Sequence, residues 1–173
     1  MPNWVGTSWN VTLPTKNVQR FLNYFLTSDE DDKLRGRYLY RTFIEKDSVH
    51  SVESMPGVSC LSFYSNSAWS LESLLVEYEP DDRGIYRCIP LDWVCKDCEV
   101  QFLKAVGDEP NMCFRQFIEL DPDSGELYFN SEDLTLWMCE ECHTMGYWED
   151  EDPDVDPTIC PSCGHKLGEE EDD

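Results

Sequence analysis

Apolar and polar positions partly alternate from Trp4 to Leu13 among β-branched and aromatic residues, a period of two that predicts a strand. Pro14 ends it, and the period then changes. Val18, Phe21, Leu22, Phe25 and Leu26 recur at spacings of three and four, so a helix is expected from a cap at Thr15 to about Leu26. Residues 37–46, 58–64, Val100–Val106, Phe114–Leu120 and Leu127–Asn130 again read as strands. Ser70–Glu77 can begin a second helix, and Asp92–Cys98 a short one capped by Asp92. The turn at residues 121–126 (Asp-Pro-Asp-Ser-Gly-Glu) separates the last two strands. The order of strand, helix, strands, helix, strands predicts an α+β fold, with helices on one face of a largely antiparallel sheet.

The pattern breaks down after residue 138, and cysteine spacing takes over. Cys139 and Cys142 form one C-x-x-C pair, Cys160 and Cys163 a second, with 17 residues between them. This is the spacing of a zinc ribbon. Two residues between thiols let a tight turn aim both sulfurs at one metal, and Gly164 stands where such a turn wants positive φ. Residues 139–173 have too few apolar side chains for a core, so one structural Zn2+ is expected to replace it. Iron in a rubredoxin-like site is the chief alternative, with His143 where such a knuckle usually has Gly, and a redox dithiol is a lesser one. Four thiolates close the coordination sphere, which argues for a structural and not a catalytic ion. His143 and His165 then read as exposed loop residues.

A third pair, Cys95 and Cys98, is weaker. On a helix the two sit at i and i+3 beside Trp93 and Val94, where cysteine behaves as a small buried hydrophobe. A second metal site with Cys88, Cys113 or Cys60, or redox chemistry, are the other readings. Nine cysteines in all, an odd number with six in C-x-x-C pairs, fit a reducing compartment better than a disulfide scaffold. The opening Met1-Pro2-Asn3-Trp4 has neither a basic start nor an apolar run, and no stretch reaches the roughly 20 apolar residues of a membrane span. A soluble cytoplasmic protein is expected.

Charge narrows the partners. The chain has 36 acidic and 13 basic side chains, a formal net of -23. Residues 139–173 hold 13 of the acids and a single base, Lys166. Such a chain repels phosphate backbones and anionic membranes, so direct nucleic-acid or membrane binding is disfavoured. A protein with a basic surface, such as a host nucleic-acid enzyme, would be drawn to it. Candidate contact residues are the acidic runs Asp29, Glu30, Asp31, Asp32 and Glu149, Asp150, Glu151, Asp152, with further acids to Asp156 and at 169–173. For the chain to imitate nucleic acid, its carboxylates would have to stand in for phosphates at fixed spacing. The competing expectation of nucleic-acid binding would need a patch built from Arg35, Arg37, Arg41, Arg83 and Arg87. No phosphate-cradling glycine loop, H-E-x-x-H or G-x-S-x-G is present, so the residues point away from an enzyme, unless its site is of an unrecognised kind.

The first 130 or so residues resemble a known family. Met1-Pro2-Asn3-Trp4, the strand end Val11-Thr12-Leu13-Pro14 and the helix start Val18-Gln19-Arg20-Phe21 look like the opening of YubB-like proteins. Residues 61–70 (Leu-Ser-Phe-Tyr-Ser-Asn-Ser-Ala-Trp-Ser) resemble the family's strand running into Ala-Trp-Ser, and residues 100–114 its strand and following Glu-Pro turn. The chain departs from the pattern with Val5 where Cys is common, Asn111 where Gly is common, and an insertion at Glu79–Ile89. The resemblance implies a ferredoxin-like domain of phage or plasmid origin, and carries no catalytic residues. The expected organisation is a ferredoxin-like α+β domain over 1–136, a four-cysteine zinc ribbon over 137–168 and an acidic tail at 169–173. The expected role is that of a non-enzymatic interaction module, in its sharpest form an anti-defence inhibitor that mimics nucleic-acid charge.

Overall fold

A computed structural model of the chain describes residues 4–26, 36–39, 41–68, 70–77, 86–109, 114–133, 135–148 and 158–167. The acidic runs at 29–32, 149–156 and 169–173, together with Arg35, Arg83 and Cys113, lie outside the described residues.

The chain is α+β, mostly antiparallel sheet with few helical turns. Strand β1 (Trp4–Pro14) leads through a 3-10 turn into helix α1 (Val18–Leu22), then β2 (Gly36–Tyr38), β3 (Thr42–Ile44), β4 (His50–Met55) and β5 (Val58–Ala68). A 3-10 segment at Leu71–Leu75 precedes β6 (Tyr86–Cys88) and helix α2 (Leu91–Asp97). Strands β7 (Phe102–Glu109), β8 (Phe114–Leu120) and β9 (Leu127–Asp133) follow, and the hairpin of β10 (Thr135–Met138) and β11 (Met145–Trp148) is last. Among the described residues the main sheet has seven strands, ordered β3-β5-β1-β7-β8-β9, with β4 also on β5. Its strand pairs are all antiparallel, whereas β2 and β6 form a separate parallel pair.

Alternation along the strands divides the sheet into two unlike faces. Val5, Thr7, Trp9, Val11 and Leu13 of β1 are buried, as are Ser59, Leu61, Phe63, Ser65 and Ser67 of β5. This face packs on Phe21, Phe25, Leu71, Leu74, Leu91 and Val94 from the helical segments. Trp9 stacks on Phe63 at 5.6 Å with an interplanar angle of 4°, and Phe25 meets both rings edge-on. The buried indole is satisfied, since Trp9 Nε1 donates to Ser65 Oγ at 2.7 Å. Gln116 does similar work at the rim, its Oε1 accepting from the Leu71 N–H at 2.8 Å. The opposite face carries no helix among the described residues.

Several expected elements have different limits. The α-helix stops at Leu22, not Leu26, because the chain tightens into i→i+3 bonds from Tyr24 and Phe25 and then hands Leu26 to β3: its N–H donates to Thr42 O and its carbonyl accepts from Ile44. Thr15 does not cap it; its hydroxyl pairs with Ser59 Oγ at 2.9 Å. The expected strand over 37–46 is split into β2 and β3, with Arg41 at φ 41° between them. Ser70 caps a 3-10 segment through the Glu72 N–H. Asp92 lies within the first turn of α2 and pairs with Lys96 at 3.1 Å, while Pro90 takes the N-cap position. Glu99 ends that helix at φ 56°, with Val100 N–H bonded to Cys95 O, a Schellman closure. His50, expected in a loop, opens β4, all six of whose residues are exposed.

Candidate metal centre

The cysteine pairs sit on two turns of the same construction. In the first, the Cys139 N–H bonds to Thr144 O at 2.9 Å and the His143 N–H to Cys139 O at 2.8 Å. In the second, the Cys160 N–H bonds to His165 O at 2.7 Å and the Gly164 N–H to Cys160 O at 2.8 Å. The flanking chain pairs likewise: Met138 opposes Met145 at the end of the β10–β11 hairpin, and Ile159 opposes Lys166 in an isolated bridge. Residues 138–145 and 159–166 are thus two copies of one knuckle, related by backbone geometry where their sequences share little beyond the cysteines.

The knuckles face each other with their sulfurs converging. Cys139 Sγ lies 3.6 Å from Cys163 Sγ, Cys142 Sγ 3.7 Å from Cys160 Sγ, and all four atoms fall within 4.8 Å of one another. A disulfide needs about 2.05 Å, so none of these is a bond. Four sulfurs placed tetrahedrally about 2.3 Å from one ion stand about 3.8 Å apart, which matches the two cross-knuckle distances. The four cysteines can therefore hold a metal ion. Cys139 and Cys160 are buried and Cys142 and Cys163 exposed, so each knuckle contributes one inner and one outer sulfur.

The site's electrostatics suit a cation. Hydrogen bonding with the Thr144 hydroxyl, and then with the Thr144 N–H, pulls the Cys142 thiol down to about 6. The His165 N–H also favours thiolate at Cys163, but desolvation and the neighbouring sulfurs outweigh it and push that thiol up to about 12. The Cys142 thiolate forms readily, and that of Cys163 is resisted by desolvation first and then by the neighbouring sulfurs. A divalent ion removes that resistance by neutralising the cluster. The all-sulfur donor set selects zinc or iron over hard cations and leaves no coordination position for water or substrate.

Every cysteine singled out for the ribbon by spacing is in this cluster. His143 and His165 are exposed at its edge. Cys95 and Cys98 are elsewhere, in the hydrophobic core, and desolvation pushes their thiols up to about 12 and about 11. Thiols so held are poor nucleophiles. Among the described residues the four ribbon cysteines are the one group of three or more metal-ligating side chains. Sequence spacing did not single out Thr144, whose contact with Cys142 (Oγ1 to Sγ, 3.2 Å) exists only once the knuckle has turned. No described helix is long and apolar enough to cross a membrane. Comparison of the chain with protein-family models, curated proteins and solved structures gave no match.

Proposed function

We propose that the protein is a non-enzymatic, acidic interaction module, stapled at its C-terminal end by one structural Zn2+ and directed at a partner with a basic protein surface. The observation that carries this reading is the balance of charge. A net of -23 over 173 residues attracts cations at long range, and the excess is densest along residues 139–173 of the sequence. The closed four-cysteine set supports a structural ion, and zinc is the choice because it takes four thiolates in tetrahedral geometry without redox chemistry.

The fold reading belongs to the same proposal. Four strands of the main sheet run in the order β4-β5-β1-β7, and α1 and α2 lie in the two crossovers, the arrangement of a ferredoxin-like β-α-β-β-α-β unit extended by β8 and β9. This order is the one that the YubB-like resemblance implies, and a phage or plasmid origin rests on that resemblance alone. In that setting the basic partner would be a host nucleic-acid enzyme whose substrate groove the acidic chain enters. The test is capture of partners from a bacterial lysate by the tagged protein, repeated at raised salt and with competing DNA. Recovery of a nucleic-acid enzyme that salt and DNA both displace is the expected result. Recovery only of partners indifferent to both would reduce the negative charge to a solubility device.

A further inference from the structure

The geometry points to the face of the main sheet that no described residue covers as the docking surface, and to an extended, arginine-bearing protein segment as what it takes. The inference rests on the reading of a basic partner and locates where that partner is held. The face is continuous across six strands. Strand registers place His50, Ser62, Asn10, Lys104, Glu119 and Tyr128 in one unbroken row from β4 to β9. Five inter-strand steps make the row about 24 Å long, which an extended segment of about seven residues would span. The neighbouring row runs Tyr64, Ser8, Val106, Phe117 and Asn130.

Two features set the chemistry. One is exposed aromatic surface where a soluble sheet ordinarily shows polar side chains: Tyr64, Phe102 and Tyr128 are 40%, 47% and 55% exposed. Tyr64 is held against the sheet by Gly6, where a Cβ would stand 3.0 Å from the tyrosine hydroxyl and 3.4 Å from its ring. The other is the charge between the rings. Lys104 is ion-paired with Glu119 at 2.7 Å, and Arg115, one row further on, with Asp108 at 2.8 Å, so both cations are already neutralised by neighbours. Phosphate binding needs cations in surplus, and this face has none to offer among its described rows.

The β7–β9 end of the row is shaped for a guanidinium. A hollow of about 250 Å³ there is lined by Lys104, Phe117, Glu119, Tyr128, Asn130 and Glu132. It presents the carboxylate of Glu132, that of Glu119 being held by Lys104, beside the rings of Phe117 and Tyr128. Arginine is the side chain that uses both at once, stacking its planar head on a ring while its N–H groups meet a carboxylate. A second hollow, of about 290 Å³, at the β4 end is lined by His50, Val52, Cys60 and Phe102 among others, and offers the next position along an extended chain.

The experiment uses the full zinc-loaded chain, isotope-labelled, and a ten-residue peptide alternating Arg and Ser, with Lys-Ser and Glu-Ser peptides and an oligo-dT strand as comparisons. Amide shifts are followed at physiological salt, and affinities are measured for the chain and for Glu132→Gln and Tyr128→Ser, both at exposed positions that a folded sheet tolerates. Support would be shifts centred on Lys104, Phe117, Tyr128 and Glu132, preference for Arg over Lys, and at least a fivefold loss of affinity in each variant. Shifts confined to residues 149–156 and 169–173, with both variants unchanged, would overturn the docking surface and leave the basic-partner reading standing. Failure of any cationic peptide to bind would overturn both. Tighter binding of oligo-dT to the same rows, or a dimer whose interface maps there, would assign the face to nucleic acid or to a second copy and overturn the proposal.

Discussion

His143 occupies the same step of its knuckle as Gly164 does in the other, the fourth residue after the leading cysteine, and both are left-handed, at φ 55° and 75°. Each donates its N–H to the carbonyl of that cysteine at 2.8 Å. Glycine takes this conformation freely, whereas a residue with a Cβ is strained there. The two knuckles therefore share a shape at unequal cost.

Reciprocal substitutions should expose the inequality. His143→Gly is expected to stabilise the metal-loaded ribbon by about 1 kcal/mol, and Gly164→Ala to weaken it by a similar amount. The second effect would be conformational alone, since a Cβ at Gly164 meets nothing within 4 Å. Chelator competition, read as the concentration that strips half of the metal, would rank the variants His143→Gly, wild type, Gly164→Ala. The reverse order would show that strain at these steps does not limit metal retention.

Cys160 is the inner sulfur of the second knuckle and 1% exposed. Cys160→Ser is expected to release the ion and unfold residues 139–167, because the described ribbon offers little besides the metal to hold its two bridges together. Amide spectra should keep the signals of β1, β5, β7 and β8. Collapse of those signals too would mean that the ribbon is part of the main core.

Gly107 lies on the covered face of β7, where a Cβ would come within 2.6 Å of Val5 Cγ1 and 2.9 Å of Leu71 Cδ1. Gly107→Ala should cost about 1–3 kcal/mol by forcing the Leu71–Leu75 segment off the sheet. Urea denaturation followed through tryptophan fluorescence measures this, and a neutral outcome would show that the 3-10 segment shifts freely.

Tyr24 joins the helices through Asp97, its hydroxyl donating to Oδ2 at 2.6 Å while Arg20 holds Oδ1 at the same distance. Desolvation first, and then this hydrogen bond to a carboxylate, raise the phenol to about 12. A folded pKa above the unfolded value means that the protonated phenol contributes stability below about pH 10, and that this is lost as pH rises through 12. Ultraviolet titration should show one tyrosine ionising well after the exposed ones. In Tyr24→Phe that late step should vanish, together with the part of the alkaline stability loss that it causes.

What the sequence determined by itself is the chemistry that depends on local spacing. Two C-x-x-C pairs name the four metal ligands because each knuckle is closed within six residues by its own backbone bonds, whatever else surrounds it. Strand β8 coincides with the expected Phe114–Leu120 for the same reason, its alternation being visible within one segment. The antiparallel α+β class follows from such segments in order. Only the tertiary structure decided which face of the sheet the described helical segments cover and which they leave open. Thr7, Ser65 and Ser67 are fully buried although polar, because they fall on the helix-side phase of their strands and find partners there. Phe102 and Tyr128 are exposed although apolar, because they fall on the other. Strand β4 was invisible for a related cause: an edge strand exposed along its whole length has no apolar face to reveal its period, and exists because β5 offers it a ladder. Hydropathy records what a residue prefers, and pairing register decides what it receives. The row that runs from His50 to Tyr128 is assembled from five strand registers, and no single stretch of the chain contains it.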